Sequence, residues 1–190
     1  GFVWRQANGS DGLYEDCVGP SSYWKSQGKC IRIWGLLCGG MVFVFVLPAG
    51  ECMNKVWYKW VIENKFRKWL PQALGRRRAK KAFLVQDHER SLWADPSLEA
   101  LEGAGISLLK NYPKCSQDLN PIETVWREIR ARLAVTEPIR IEMREEFVKR
   151  LRLAVAWVNR NRRNYLLELC SSQKERALDV QLQLGGRTKH

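Results

Sequence analysis

Acidic residues, histidine and paired cysteines are all scarce in this 190-residue chain, and each shortage removes a class of function. Only two His occur, at positions 88 and 190, and none of the six Cys falls in a Cys-x-x-Cys pair. Imidazole and thiolate ligands at zinc spacing are therefore missing, and no zinc site is expected. No signal peptide is in view, so the thiols are expected to be reduced and the chain intracellular. Long apolar runs are lacking too. The one suspect, residues 33–50, is broken by Gly39-Gly40 and closed by Pro48. It is short for a membrane span and reads as two strands joined by a Gly-Gly turn, so no membrane association is expected. A Gly-rich phosphate loop, a Ser/His/Asp nucleophile set, internal repeats and low-complexity tracts are likewise missing.

The shortage of acid has the largest consequence. The chain carries 32 Lys and Arg against 20 Asp and Glu, a net charge of +12. Residues 124–190 hold 15 of the basic and 8 of the acidic groups, a net +7, so most of the excess lies in the last third. Such a balance suits a polyanion, most often nucleic acid, although a merely basic soluble protein would show it as well. Hydrophobic residues at 45% and nine Trp are enough for a buried core in one domain, or one domain with an appendage.

Periodicity sets the expected elements. A ragged strand and a Gly/Ser-rich loop fill residues 1–28, and residues 29–37 and 41–47 form a hairpin of strong strand formers. A helix over residues 53–70 repeats Val56, Trp57, Trp60 and Val61 at helical spacing, with Pro71 and Gly75 ending it. Arg76-Arg77-Arg78-Ala79-Lys80-Lys81 follows, then an apolar run 82–86 that delivers Asp87 at its end. Asp95-Pro96 starts a short helix and residues 106–109 read as a strand. Two helices close the chain: one over 143–158 with Phe147, Leu151, Val155 and Val158 on its apolar face, and a final one over 165–180.

Residues 113–126 carry a full helix start. Asn120 can cap, Pro121 follows where its missing N–H costs nothing, and Glu123 sits at the third helical position. Glu123 has two readings, as the reciprocal partner of a capping box or as a carboxylate kept ionised by the helix N-terminus for a metal. Asp118 reads as the residue that orders the loop before the cap, and Asp11 and Asp16 read as turn residues.

The run Ser-Gln-Asp-Leu-Asn-Pro-Ile-Glu-Thr-Val-Trp at 116–126 resembles the Ser-Pro-Asp-Leu-Asn-Pro-Ile-Glu-x-x-Trp signature of Tc/mariner-type DDE transposases. Val85-Gln86-Asp87 looks like that family's second catalytic strand, Phe2-Val3-Trp4-Arg5 like the strand after the first, and Ile31-Arg32-Ile33-Trp34-Gly35 like its Val-Met-Val-Trp-Gly. The resemblance spans roughly residues 1–135. It departs from the family after Asp87, where His88-Glu89-Arg90-Ser91-Leu92-Trp93 stands in place of Asn-x-Pro-x-His. His88 is read as a loop or cap residue, with a substitute ligand as the other reading.

The resemblance implies an α/β fold of ribonuclease H-like type, a mixed sheet flanked by helices and lacking its first strand, over residues 1–135. Residues 136–190 would form a basic helical extension. It implies Asp87 and Glu123 as the second and third acids, catalytic and ligating Mg2+ or Mn2+. The ancestral reaction is metal-dependent DNA strand cleavage and transfer, expected to be impaired here because the first acid is not seen. The alternative is a non-catalytic DNA-, RNA- or protein-binding module derived from a transposon. The expected nucleic-acid contacts are Arg76, Arg77, Arg78, Lys80 and Lys81, which also read as a nuclear import signal or a solvated loop. Arg160, Arg162 and Arg163 join them beside Trp157 and Tyr165, whose rings face either nucleic acid or the core. DNA, with RNA as the other candidate, is the expected partner, and the nucleus the expected compartment.

Overall fold

The computed structural model describes residues 2–3, 31–109, 119–138, 142–172, 175, 176 and 178. Three strands, β1 (Phe2–Val3), β2 (Ile33–Cys38) and β3 (Met41–Val46), form an antiparallel sheet in that order. β2 and β3 pair from Ile33↔Val46 to Cys38↔Met41. Their turn is Gly39-Gly40, with φ of 55° and 74°, the left-handed pair that a two-residue hairpin of this twist needs. Successive side chains leave opposite faces of a strand, and two cores follow from that. Trp34, Leu36 and Phe43 face one core, while Val42 and partly buried Ile33, Leu37 and Val44 face the other.

The first core is closed by the segment after the hairpin. Helix α1 (Lys55–Val61) starts at Asn54, whose side chain accepts from the Val56 and Trp57 amides at 2.9 Å each. It runs into a π-helical turn, Ile62–Phe66, and then α2 (Arg67–Leu74). The helix expected to stop near Pro71 instead passes through it, and ends at Gly75, whose amide still bonds the Pro71 carbonyl at 2.9 Å. The run expected as a possible loop begins with a single helical turn, α3 (Arg76–Ala79). Then come β4 (Phe83–Leu84), α4 (Asp95–Gly103) and β5 (Ser107–Leu108), with β4 and β5 paired in parallel.

The second core packs α5 (Ile122–Val135), α6 (Arg144–Asn161) and α7 (Arg163–Ser171) on the other sheet face. Residues 144–171, expected as an extension, thus supply Phe147, Leu151, Val158 and Leu166 to the same core as Val42 and Trp126. Asn159 of α6 also covers the outer edge of β3, accepting from the Val42 amide at 2.8 Å and donating to its carbonyl at 2.9 Å. Gly35 is where α5 comes closest to the sheet. A Cβ there would lie 2.5 Å from the Trp126 ring, so only hydrogen fits.

Among the described residues no ladder joins β4 to the three-stranded sheet. A cavity of about 260 Å³ separates them, between Leu36–Gly39 and Ala82–Val85, reaching Asn120 and Ile122 at the start of α5.

Candidate functional site

Asp87 stands three residues beyond β4, at the head of a loop tied down on all sides. Gln86 is fully buried; it accepts from the Tyr58 hydroxyl at 2.5 Å and donates to the Leu92 carbonyl at 3.2 Å. The Trp93 indole N–H donates to the Asp87 carbonyl at 2.9 Å, and its ring stacks on His88 at 4.6 Å with planes 4° apart. The His88 amide donates to Asp87 Oδ1 at 2.7 Å. His88, expected as a loop or cap residue, is therefore part of an aromatic brace that fixes the Asp87 backbone.

Glu123 arrives from the other direction, on the first turn of α5. Asn120 does serve that helix start: its side-chain oxygen accepts from the Ile122 amide at 3.3 Å. The reciprocal half of a capping box is not formed among the described residues. The Glu123 carboxyl is instead drawn inward, and burial pushes its pKa up to about 7. The Arg130 guanidinium, two turns along the same helix, pulls the value down, and the charge on Asp87 raises it further. The helix N-terminus was expected to keep this acid ionised. That field is worth under about 1 kcal/mol at most exposed sites, and desolvation in this position outweighs it.

Two carboxylates 36 positions apart in sequence are thus close enough for one to shift the other. Among the described residues no third Asp, Glu, His or Cys completes a cluster able to hold a metal. Asp11, Asp16 and Asp118 lie outside the described residues, as do Cys17, Cys30 and Cys115. No helix among the described residues is long and apolar enough to cross a membrane.

The basic groups fall into two sets, all exposed. Arg76, Arg77 and Arg78 lie on α3 and Lys80 and Lys81 just after it; the Arg78 Nε–H donates back to the Leu74 carbonyl at 3.0 Å. Arg160, Arg162 and Arg163 lie where α6 meets α7, with Arg162 3.3 Å from Glu128. Trp157 is half-buried against the second core and also carries guanidinium groups over its ring, Arg132 at 4.8 Å and Arg162 at 5.9 Å. Of the two readings of its ring, the structure bears out the one that faces the core.

Sequence reasoning missed Arg130 and Trp93. Arg130 was findable as the residue seven after Glu123, on the same face of a helix. Trp93 carried no such signal, because only the folded loop brings its indole to the Asp87 carbonyl.

No protein-family model matches the chain. Two curated proteins are similar in sequence. The transposable element Tcb1 transposase of Caenorhabditis briggsae is 28% identical over 109 residues, covering 57% of this chain and 38% of that protein. The Tcb2 transposase of the same organism is 27% identical over 106 residues, covering 55% and 36%. The match spans well under half the length of either relative. Among solved structures, the catalytic domain of Mos1 mariner transposase aligns with a TM-score of 0.67 at 17% identity, over 88% of this chain and 89% of that one. The Mos1 mariner paired end complex with Mn aligns at 0.67 and 19% identity, over 85% and 46%. At such identity the likeness establishes the fold, which is ribonuclease H-like. Sequence relatives and fold neighbours agree in kind: the chain is similar in sequence to Tc transposases and in fold to the Mos1 mariner catalytic domain.

Proposed function

We propose that this Tc/mariner-transposase-like chain binds DNA and acts on its phosphodiester backbone, with a divalent cation held between Asp87 and Glu123. The observation that carries the reading is the partly desolvated Glu123 carboxyl, lifted further by the charge on Asp87. Two hard oxygen donors that repel each other in a half-buried place are relieved by Mg2+ or Mn2+. Solved structures of the Mos1 catalytic domain with Mg and with Mn support that choice of ion. When bound, such an ion supplies Lewis acidity to phosphate oxygens.

The chain's own groups do the rest. Gln86, gripped by Tyr58 and Leu92, fixes the end of the β4 segment, and Trp93 and His88 hold the backbone that presents the Asp87 carboxylate. Arg130 favours the charged form of Glu123, the form a cation takes. The basic sets on α3 and at the α6–α7 junction offer phosphate contacts, and a DNA substrate makes the nucleus the working compartment.

The second reading, a DNA-, RNA- or protein-binding module without catalysis, is favoured by one fact. Only two acids meet among the described residues. Nicking of supercoiled plasmid in Mn2+ separates the two. Nicking lost in Asp87→Asn and Glu123→Gln supports the enzyme; binding without nicking, unchanged in both variants, supports the module.

A further inference from the structure

We propose that the two basic sets are one surface, a single track across the tip of the β2–β3 hairpin that holds one DNA duplex by its phosphates. This rests on the DNA reading above and says where on the molecule the backbone lies. In sequence the sets are some eighty residues apart. The hairpin tip brings them together.

Gly39 is pressed against the end of α2. A Cβ there would meet the Ala73 carbonyl oxygen at 2.6 Å and Leu74 Cδ2 at 2.9 Å. Gly40 is pressed against α7 in the same way, with Leu167 Cγ at 2.6 Å and the Arg163 carbonyl at 3.2 Å. Consecutive Cα atoms are only ~3.8 Å apart, so a two-residue turn is all that separates the α2–α3 corner from the start of α7. Arg76 follows that corner directly, and Arg78 bonds the Leu74 carbonyl beside it. Roughly 15–20 Å then separates the backbone at Arg76 from that at Arg163, about five phosphates along one strand.

The tip itself suits a polyanion. Cys38, Gly39, Gly40 and Met41 carry no charge, and the side chains that close over the two glycines, Leu74 and Leu167, are apolar. The acids beside the second set include Glu128 on the neighbouring α5, which is 3.3 Å from Arg162, and exposed Glu168 on α7. Excess positive charge on both sides of an uncharged tip is the pattern that counterion release rewards.

Fluorescence anisotropy of a labelled 20-base-pair duplex, titrated with the full chain between 50 and 200 mM salt, tests the proposal. One variant carries Arg76→Gln, Arg77→Gln and Lys80→Gln; another carries Arg160→Gln and Arg163→Gln; a third combines them. One track predicts one duplex per chain, and affinity at least about 5-fold lower in each separate variant. Salt slopes should become shallower by about 0.9 for each phosphate contact removed, summing in the combined variant. Two duplexes per chain, or one set whose removal changes neither affinity nor slope, overturns the single track while DNA binding stands. No salt-dependent binding by the unmodified chain overturns the DNA reading with it. Tighter capture of single-stranded RNA through the same residues replaces the partner and overturns the duplex. If a variant loses its cooperative melt, protection of Arg76 and Arg163 from phenylglyoxal by duplex in the unmodified chain decides instead. Both are protected on one track.

Discussion

Replacing Glu123 with Gln should make the protein more stable at pH 8 and leave it unchanged at pH 4.5. The carboxyl is lifted from an ordinary value of 4.5 to about 7, first by burial and then by Asp87, against the pull of Arg130. A native state with the higher pKa binds more protons than the unfolded chain anywhere between those values, so stability falls as pH rises through that window. Each pH unit of difference is worth about 1.4 kcal/mol, or about 3 kcal/mol in all before screening. Glu123 keeps part of its surface in water, which reduces the penalty to about 1–2 kcal/mol. For a chain of this length that is a shift of about 3–6 °C in melting temperature. Thermal melts from pH 4 to 8.5, in low salt with divalent metal chelated, measure it. The unmodified protein should lose stability relative to Glu123→Gln from pH 5 to 7 and stay parallel to it above pH 8. Curves parallel across the whole range would refute the buried, repelled carboxyl.

Other parts of the structure make equally definite demands. Arg150 grips Glu142 through both carboxylate oxygens at 2.7–2.9 Å, with both side chains largely buried, and donates to the Leu133 carbonyl at 2.8 Å. Arg150→Met leaves a buried carboxylate and a carbonyl unpaired, and should cost about 3–5 kcal/mol in urea unfolding, with much of it recovered in Arg150→Met/Glu142→Leu. Gly35→Ala sets a methyl 2.5 Å from the Trp126 ring and should cost about 1–3 kcal/mol. Asn159→Leu strips the β3 edge of two hydrogen bonds and should cost about 2 kcal/mol by the same assay.

What could be read from the sequence was whatever is decided within a few residues. The hairpin was legible because Val42 to Val46 are strand formers and Gly39-Gly40 can take two left-handed conformations. The starts of α4 and α5 were legible in Asp95-Pro96 and Asn120-Pro121. Nothing in residues 62–66 announced a π-helical turn, and Pro71, normally a stop, is carried inside a helix whose neighbours hold it. β4 and β5 are two residues each, set by pairing across 24 positions rather than by their own pattern.

The candidate site divides along the same line. Asp87 and Glu123 could be named from local context, one at the end of an apolar run and the other at a helix start. Their meeting is a tertiary event, as is the desolvation that reverses the expected ionisation of Glu123. The aromatic brace of His88 and Trp93 belongs to a loop whose shape depends on buried Gln86, Tyr58 and Ser97.

Manganese binding, followed by the loss of the free-ion electron paramagnetic resonance signal in the full chain, reports whether Asp87 and Glu123 hold a cation between them. One Mn2+ per chain is expected, bound more tightly at pH 8 than at pH 6 because the Glu123 proton must leave. Binding should weaken at least about 10-fold in both Asp87→Asn and Glu123→Gln. An affinity that stays the same in both variants, or no binding at all, would contradict it.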